Sequence, residues 1–488
     1  MVRCPGQSTQ ACEVQLPDLH LELDPACGGR AAQVADAIRH AVRAGRIGAG
    51  YRLPATRALA TDLGVSRGVV VEAYERLSAE GFLESRQGSG TRVATRAAPD
   101  AAADAAAGAD TPLDDVDAGP IPPLPPGIGY DLRPGQPDLS TFPRGAWLAA
   151  LRRAITTLPT SELGYPARAG APRLRTELAA YLRRVRAVAA PPGQVVVAAG
   201  VAQVMAAVGR ALAADGHRRL AVEDPSSMHQ RPLMHGVGLA PVAVPVDDQG
   251  IDVAALARTA ARAVLVTPAH QYPTGVVLSP ERRAALITWA RERDAVIIED
   301  DYDAEFRFDR EPVGCLQALA PDRVVLAGSV SKSMAPALRL GWAVAPARLA
   351  ASVALLRAVT DLGSPTLDQR ALAELITDGQ YDRHLRATRA RYRARRDALA
   401  GALHARLPVL SVRGVSAGLH LYVELPPGTD EGRLVDAAHE RGVAVTGVGG
   451  LRLMPGPPAL VLGFAAEPER RLAAAVELLA AAFDDARR

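Results

Sequence analysis

Lysine is almost missing from this chain. Lys and Arg together number 56 of its 488 residues, and Lys332 is the one lysine among them. Arginine cannot give up its proton or act as a nucleophile in a protein, whereas lysine can be desolvated, neutralised and made to condense with a carbonyl. A general replacement of lysine by arginine explains the background but not the survivor, so Lys332 is singled out before any motif is read. Cysteine is scarce too. Cys4, Cys12, Cys27 and Cys315 form no CxxC pair and no Cys/His cluster at metal-ligand spacing, which argues against a metal site and a disulfide framework and for unpaired thiols in a reducing cytosol. No uncharged stretch reaches the ~18 apolar residues that a membrane span needs. The opening MVRCPGQSTQ has no basic region followed by an apolar run, so no secretory signal is expected. A soluble, cytoplasmic protein is the expectation.

What is present suggests two or three domains, since 488 residues of which 48% are hydrophobic exceed one ordinary core. The net charge of +3 says little, but its distribution says more. Residues 30–93 carry ten Arg against six Asp and Glu, and residues 94–128 carry six Asp against one Arg. A basic head followed by an acidic spacer favours a nucleic-acid-facing N-terminus. The expected organisation is an irregular extension (1–29), a head (30–93), a Pro/Ala/Asp-rich linker (94–128) and a large second unit (129–488).

In the head, Val34, Ala37, Ile38, Ala41 and Val42 recur at helical spacing until Gly45 stops the run. TRALATDLGVSRGVVVEAYERLSAEGFL then reads as helix, turn, helix. Thr56 and Ser66 are candidate caps and Gly64 is the turn. Ala58, Leu59 and Leu63 are expected to pack on Val69, Val70, Ala73, Tyr74 and Leu77. FLESRQGSGTRVA follows with a hairpin signal around QGSG. A helix-turn-helix lays its second helix in the major groove with the helix N-terminus nearest the base edges. That position holds Ser66 and Arg67, supported by Arg52, Thr56 and Arg57, while Arg86, Gly88, Thr91 and Arg92 form a basic wing for double-stranded DNA. Such a unit can also mediate protein contacts; arginines at the tips, where a duplex would lie, favour DNA.

Beyond Tyr130, apolar runs at 195–198, 219–222, 263–267, 296–299 and 324–327 alternate with helical patterns such as 201–213 and 281–293. Buried β-branched runs separated by helices indicate a mostly parallel or mixed sheet with helices on both faces. LHLYVEL and ALVLGFA mark a smaller C-terminal α/β subdomain. The lysine lies in GSVSKSMAPALRLGW. A pyridoxal phosphate site needs an amine for the aldehyde, donors for the phosphate, an acid at the pyridine nitrogen and a donor to the ring oxygen. Lys332 supplies the amine, and Ser329, Ser331 and Arg339 can converge on a phosphate. AVIIEDDYDAEF ends a strand with Asp300, Asp301 and Tyr302, an acid for the nitrogen and a phenol for the ring oxygen. Paired acids at a strand end also suit a metal site or a solvated turn.

Two resemblances add to this reading. RLPATRALATDLGVSRGVVVEAYERLSAEGFLESRQGSGTRV resembles winged-helix domains of the GntR regulator family. From Tyr130 on, the chain is similar to fold-type I aminotransferases, through GQPDLSTFP, LGYPARAGAPRLRTELAAYL, GVAQ, EDP, HQYPTG, EDDYDAEF and SKSMAPALRLG in that order. The combination is that of the MocR subfamily. The resemblance implies that Lys332 carries pyridoxal phosphate, Asp300 or Asp301 pairs with its nitrogen and Tyr302 with its ring oxygen. Ser329, Ser331 and Arg339 would hold the phosphate, joined by Tyr165 from the second subunit of a homodimer. His270, Gln271 and Tyr272 occupy a loop that brings an asparagine to the ring oxygen in the enzymes, so Tyr272 departs from that pattern. Ser226 and Ser227 stand where the subfamily has Gly-Tyr, the GVAQ turn lacks a small hydroxyl residue, and Val461 stands where the enzymes hold a substrate carboxylate with arginine. Arg452 is a candidate replacement toward an amino-acid-like effector. A ligand-sensing, pyridoxal phosphate-dependent transcription regulator is therefore expected; the alternative is a working aminotransferase with an accessory head. The sequence names neither effector nor operator.

Overall fold

The computed structural model describes residues 29–86, 90–95, 124–308 and 314–486. Expectations for residues 1–28 (with Cys4, Cys12 and Cys27), for the wing tip with Gly88, for the linker at 96–123 and for the Arg86 side chain lie outside the described residues. Contacts divide the chain into two units, Met1–Gly119 and Pro120–Arg488.

The first unit is built from α1 (Arg30–Arg43), α2 (Thr56–Asp62), α3 (Arg67–Ala79) and an antiparallel hairpin of β1 (Leu83–Arg86) and β2 (Gly90–Val93). Its core joins Val34, Ile38 and Val42 of α1 to Leu59 and Ala60 of α2, Val70, Tyr74 and Leu77 of α3, and Leu83 and Val93 of the hairpin. Each such aliphatic side chain contributes about 1.5–3 kcal/mol by leaving water. Two expected core positions move. Ala35 rather than Ala37 is buried on α1, because it stands three and seven residues before Ile38 and Val42 on the centre of the apolar stripe. On α2 Ala60 is buried and Ala58 is exposed. Thr56 does not cap α2: Ala55 holds that position, and the Thr56 hydroxyl instead faces Arg67 Nε at 3.4 Å. Ser66 is the N-cap residue of α3, without a side-chain bond to the helix.

The second unit opens with β3 (Tyr130–Asp131), α4 (Arg144–Thr157) and α5 (Pro172–Arg186). Its main sheet has the order β4 (Val195–Ala198), β11 (Gly341–Val344), β10 (Val324–Ser329), β9 (Val296–Asp300), β8 (Ala263–Val266), β5 (Arg219–Asp224), β6 (Ala240–Asp247) and β7 (Gly250–Ile251). Neighbours from β10 to β6 are parallel, and β11 and β7 are antiparallel to theirs. Alternate residues face opposite sides. Met205, Val208 and Leu212 of α6 (Val201–Ala214) pack on Val196, Leu220, Val222, Ile298 and Val325 on one face. On the other, Leu256 of α8 (Val253–Ala257) and Leu286 and Trp289 of α9 (Pro280–Glu292) pack on Ala221, Val264, Val266, Ile297 and Val324. Covering both faces explains why these strands read as continuous apolar runs. Three of them run on past the apolar run, to Asp224, Asp300 and Ser329, so polar residues end up inside the sheet.

Helix α7 (Gln230–Gly236) follows β5, and α10 (Ala347–Thr360), α11 (Thr366–Thr377) and the long α12 (Gln380–Arg406) lead to a second, antiparallel sheet. That sheet has the order β12 (Ser411–Arg413), β13 (His420–Glu424), β16 (Ala459–Gly463) and β15 (Thr446–Gly447). Leu421, Val423, Leu460 and Leu462 bury one face of it in a core shared with Leu399 and Leu403 of α12, Leu434 of α13 (Glu431–Glu440) and Leu472 and Val476 of α14 (Glu469–Ala486). A short strand β14 (Val443–Ala444) pairs with β3. In the main sheet β4, β5, β8, β9 and β10 point the same way. Their C-terminal ends form one edge, where ligands of open α/β sheets sit. Among the described residues no helix is long and apolar enough to cross a membrane.

Candidate cofactor site and candidate DNA-binding surface

Lys332 follows β10 and comes to rest beside the end of β9. It is half-buried, its Nζ donates to the Gly135 carbonyl, and burial lowers its proton affinity against the opposing charges of Asp300 and Asp303. Asp300 is buried, with Oδ2 accepting a 2.5 Å hydrogen bond from Gln230 Nε2 and Oδ1 left without a partner. Its pKa is pushed up to about 7, first by burial, opposed by the Gln230 amide, and raised further by Asp301 and Asp303. Asp301 is committed elsewhere: Arg186 grips both of its oxygens at 2.8 Å. A buried carboxylate oxygen with no partner is costly unless a donor is destined for it.

Tyr302 projects next to these acids, its hydroxyl 3.0 Å from His270 Nδ1. Burial, then the charge of Asp303, raises its pKa well above the ordinary phenol value. The Tyr272 ring stands edge-on to Tyr302 at 6.0 Å and packs with Tyr422, Val448, Leu451 and Val461. Gln271 turns away from this site and bonds the Pro225 carbonyl at 2.9 Å.

Opposite lies a cradle at the start of α6. Arg339, in a left-handed backbone conformation (φ 47°), reaches the Ala199 carbonyl at 2.6 Å. A Cβ at Gly200 would lie 2.7 Å from its guanidinium, so the glycine is what admits the arginine. A non-glycine residue held there costs about 1–3 kcal/mol, a strain that concentrates at functional sites. Ser329 is buried with its Oγ accepting from Ser331 N at 3.3 Å. Hydroxyls, a guanidinium and the free N–H groups of a fourteen-residue helix are what a phosphate requires. Gln203 of GVAQ bonds back to Ala199 N at 2.6 Å.

Toward the second sheet, Arg452 donates to Tyr422 Oη at 3.2 Å and to the Pro457 carbonyl at 3.1 Å, and its buried Nε has no hydrogen-bond partner. Tyr422 lies directly across from Val461 in the register, so the guanidinium reaches the sheet face on which Val461 sits. Ser226 N bonds the Leu451 carbonyl at 3.0 Å, and Asp224 accepts from Leu453 N and Met454 N at 2.7 and 3.0 Å. Tyr165 is 88% exposed and lines, with Leu163, Pro166 and Leu362, a groove of about 630 Å³.

In the first unit Arg52, Arg57, Ser66 and Arg67 are exposed, and Thr56 and Thr91 are half-buried. Arg52 pairs with Arg92 across a β-bridge, Arg92 Nη1 holds the Gly50 carbonyl at 2.9 Å, and Ser85 and Thr91 hydroxyls meet at 3.1 Å. Gln230 and Arg186 were missed by sequence reasoning. Neither stands in a motif, and only the fold shows that the first holds Asp300 while the second occupies Asp301.

The description "Aminotransferase class I and II" matches residues 131–479, and "Bacterial regulatory proteins, gntR family" matches residues 30–93. The chain is 35% identical to the HTH-type pyridoxine biosynthesis transcriptional regulator PdxR of Corynebacterium glutamicum, over 85% of this chain and 87% of that one. It is 32% identical to the probable rhizopine catabolism regulatory protein MocR of Rhizobium meliloti, over 92% and 93%. Among solved structures it resembles LysN, an α-aminoadipate aminotransferase of Thermus thermophilus complexed with N-(5'-phosphopyridoxyl)-L-leucine. That match has a TM-score of 0.68 at 25% identity and covers 77% of this chain and 97% of the other.

Proposed function

This chain belongs to the MocR subfamily of GntR transcription regulators, with an aminotransferase class I and II unit behind its DNA-binding head, and on that footing we propose that the second unit senses an amino compound through pyridoxal phosphate held on Lys332. The observation that carries the proposal is the unpartnered, buried Oδ1 of Asp300. A protonated ring nitrogen is the donor it lacks, and Asp301, saturated by Arg186, is not available for the task. The cradle of Ser329, Ser331, Arg339 and the α6 N-terminus suits the phosphate. When bound, pyridoxal phosphate supplies an aldehyde that captures primary amines and a ring that withdraws electrons from the captured carbon. Burial lowers the proton affinity of Lys332, which favours its use as the amine that would hold the cofactor.

The proposed active form is a homodimer. Leu163, Tyr165 and Leu362 of the groove are between 57 and 88% exposed, and an exposed apolar groove suits an interface. A second copy would cover it and bring its Tyr165 to the phosphate. On the amine side we place Tyr272, Tyr422 and Val461, which pack together, as the apolar wall, with Arg452, bonded to Tyr422 Oη, as the one proposed carboxylate partner. Apolar walls and the serine pair at 226–227 suit capture and retention better than turnover. Two effectors fit: pyridoxal phosphate itself, in line with the pyridoxine biosynthesis regulator of Corynebacterium glutamicum, or an amino compound captured by it. Either one shifts the regulator only by binding one of its states more tightly than another.

The experiment is the visible spectrum of the full chain with pyridoxal phosphate, followed as a panel of amino acids is added. A band that shifts with one compound and then stays supports the sensor. Steady conversion that is reversed by an oxo acid would make the chain an aminotransferase first.

A further inference from the structure

The Tyr302 hydroxyl has more polar company than a packed phenol needs. His270 Nδ1 lies 3.0 Å from Tyr302 Oη and 2.8 Å from Asp303 Oδ2, and both His270 and Asp303 are buried. A carboxylate oxygen accepts, so the bond to Asp303 is made by the tautomer that carries the proton on Nδ1. His420 closes the cluster from the second sheet, its ring 5.2 Å from that of His270 and its Nε2 donating to the Pro273 carbonyl at 3.0 Å. Burial, then the neighbouring His270, lowers the His420 pKa to about 4, so it adds no charge at neutral pH. The remaining groups around the cluster are Tyr272, edge-on to both His420 and Tyr302, and the charges of Asp300 and Lys332 at the mouth of the site.

Room for this arrangement has been kept. A Cβ at Gly418 (φ +73°) would stand 2.2 Å from His270 Cε1 and 2.6 Å from Asp303 Oδ2, and one at Gly275 would stand 3.2 Å from His270 Nε2. The chain also contains no asparagine anywhere, so no asparagine amide from either copy can support a ring oxygen.

Resting on the pyridoxal phosphate reading above, we infer that Asp303 and His270 are a positioning pair for Tyr302: the Tyr302 hydroxyl also bonds Asp303, and His270 N–H competes for that carboxylate, which leaves the Tyr302 O–H able to donate to the cofactor's ring oxygen. Without His270, the Asp303 carboxylate keeps the Tyr302 hydroxyl as a hydrogen-bond partner with no ring N–H to compete for it. The carboxylate would draw the hydroxyl proton away from the ring oxygen. His270 thus acts on the cofactor only through Tyr302, and that is a statement about coupling.

The test titrates with pH the visible band formed by pyridoxal phosphate on the full chain. Tyr302→Phe removes a donor to the ring oxygen and is expected to raise the apparent pKa of the band by about one pH unit. His270→Ala should raise it by a similar amount, whereas His270→Asn, whose amide can replace Nδ1–H, should stay near wild type. The double variant His270→Ala/Tyr302→Phe should titrate like Tyr302→Phe alone. Circular dichroism melting of each variant identifies any that fails to fold, and His270→Asn keeps the test alive if His270→Ala does not. An unchanged titration in His270→Ala, or additive effects in the double variant, overturns the positioning pair. A wild-type chain that forms no visible band overturns the cofactor reading itself, and the two failures are distinct.

Discussion

The two units place their proposed working residues in opposite environments. The head keeps Arg52, Arg57, Ser66 and Arg67 in solvent on short elements, over a core that fixes only where the helices lie. The second unit sinks Asp300, Asp303, Glu223 and His270 into the end of a sheet, where burial raises the pKa of Asp300 and Glu223 and every partner matters. A surface that grips a polyanion gains from hydrated, mobile charges, each adding a modest increment. A cofactor site must hold few groups in fixed protonation states, so it gains from low dielectric and complete hydrogen bonding. Substitutions should therefore be graded in the head and reach all-or-none in the second unit at Lys332.

The sharpest break of that contrast is Lys332→Ala. It should abolish the visible band formed with pyridoxal phosphate, since no other lysine exists in the chain to replace it, while binding of a DNA duplex by the effector-free protein persists. Retention of the band would disprove the lysine assignment. Next in size is Arg67→Ala, at the N-terminal end of α3. On a duplex selected from a random pool by the full chain, loss of one base or phosphate contact is expected to weaken binding by about 1–3 kcal/mol. The cofactor spectrum should not move. Unaltered affinity would show that α3 is not the recognition helix.

Gln230→Ala comes third. Removing the amide that holds Asp300 Oδ2 leaves the carboxylate in place but unaimed, and a lost hydrogen bond to a charged group is worth about 1.5–3 kcal/mol. Equilibrium titration of pyridoxal phosphate should therefore show affinity reduced by about ten-fold or more, with Lys332 still reactive. An unchanged dissociation constant would mean that Asp300 is positioned by its strand alone.

How much of this was legible beforehand follows from the same contrast. Motif residues at strand ends, such as Asp300, Tyr302 and Ser329, could be located because β-branched runs mark where strands stop, and the lone lysine marked the chemistry. The choice between Asp300 and Asp301 could not be made. It depends on Arg186, more than a hundred residues away in sequence, which closes on Asp301 only after α5 has packed. Gln230 was invisible for the same reason. In the head, the helix-turn-helix was read correctly as a pattern, yet Thr56 as a cap was wrong, because a helix boundary one residue earlier at Ala55 made the threonine the first residue of the helix, with its hydroxyl on Arg67. Caps depend on single dihedral angles that composition does not encode.

The smallest expected effect concerns pH, and it separates the units without any substitution. In the second unit, burial raises Asp300 to about 7, and it raises Glu223 to about 7 as well, against opposing bonds from Thr267 and Gln271. An acid whose pKa is higher folded than unfolded keeps its proton in the native state after the unfolded chain has lost it. The native state then binds more protons, and stability falls as pH rises through the window from about 4 to about 7. Among its described residues the head offers no comparable buried acid: Glu80 is surface-exposed and its pKa is lowered by hydrogen bonds from Arg39 and Arg76. Thermal melting of the apo chain between pH 5.5 and 8 should thus lower the transition of the second unit while leaving that of the head nearly still. Saturating pyridoxal phosphate should remove part of the loss, because the ring nitrogen gives Asp300 the donor it lacks. A second-unit transition that is flat across this range, or one that the cofactor shifts equally at both ends, would mean that Asp300 is already ionised and satisfied in the apo protein, and its unpartnered oxygen would no longer argue for a cofactor.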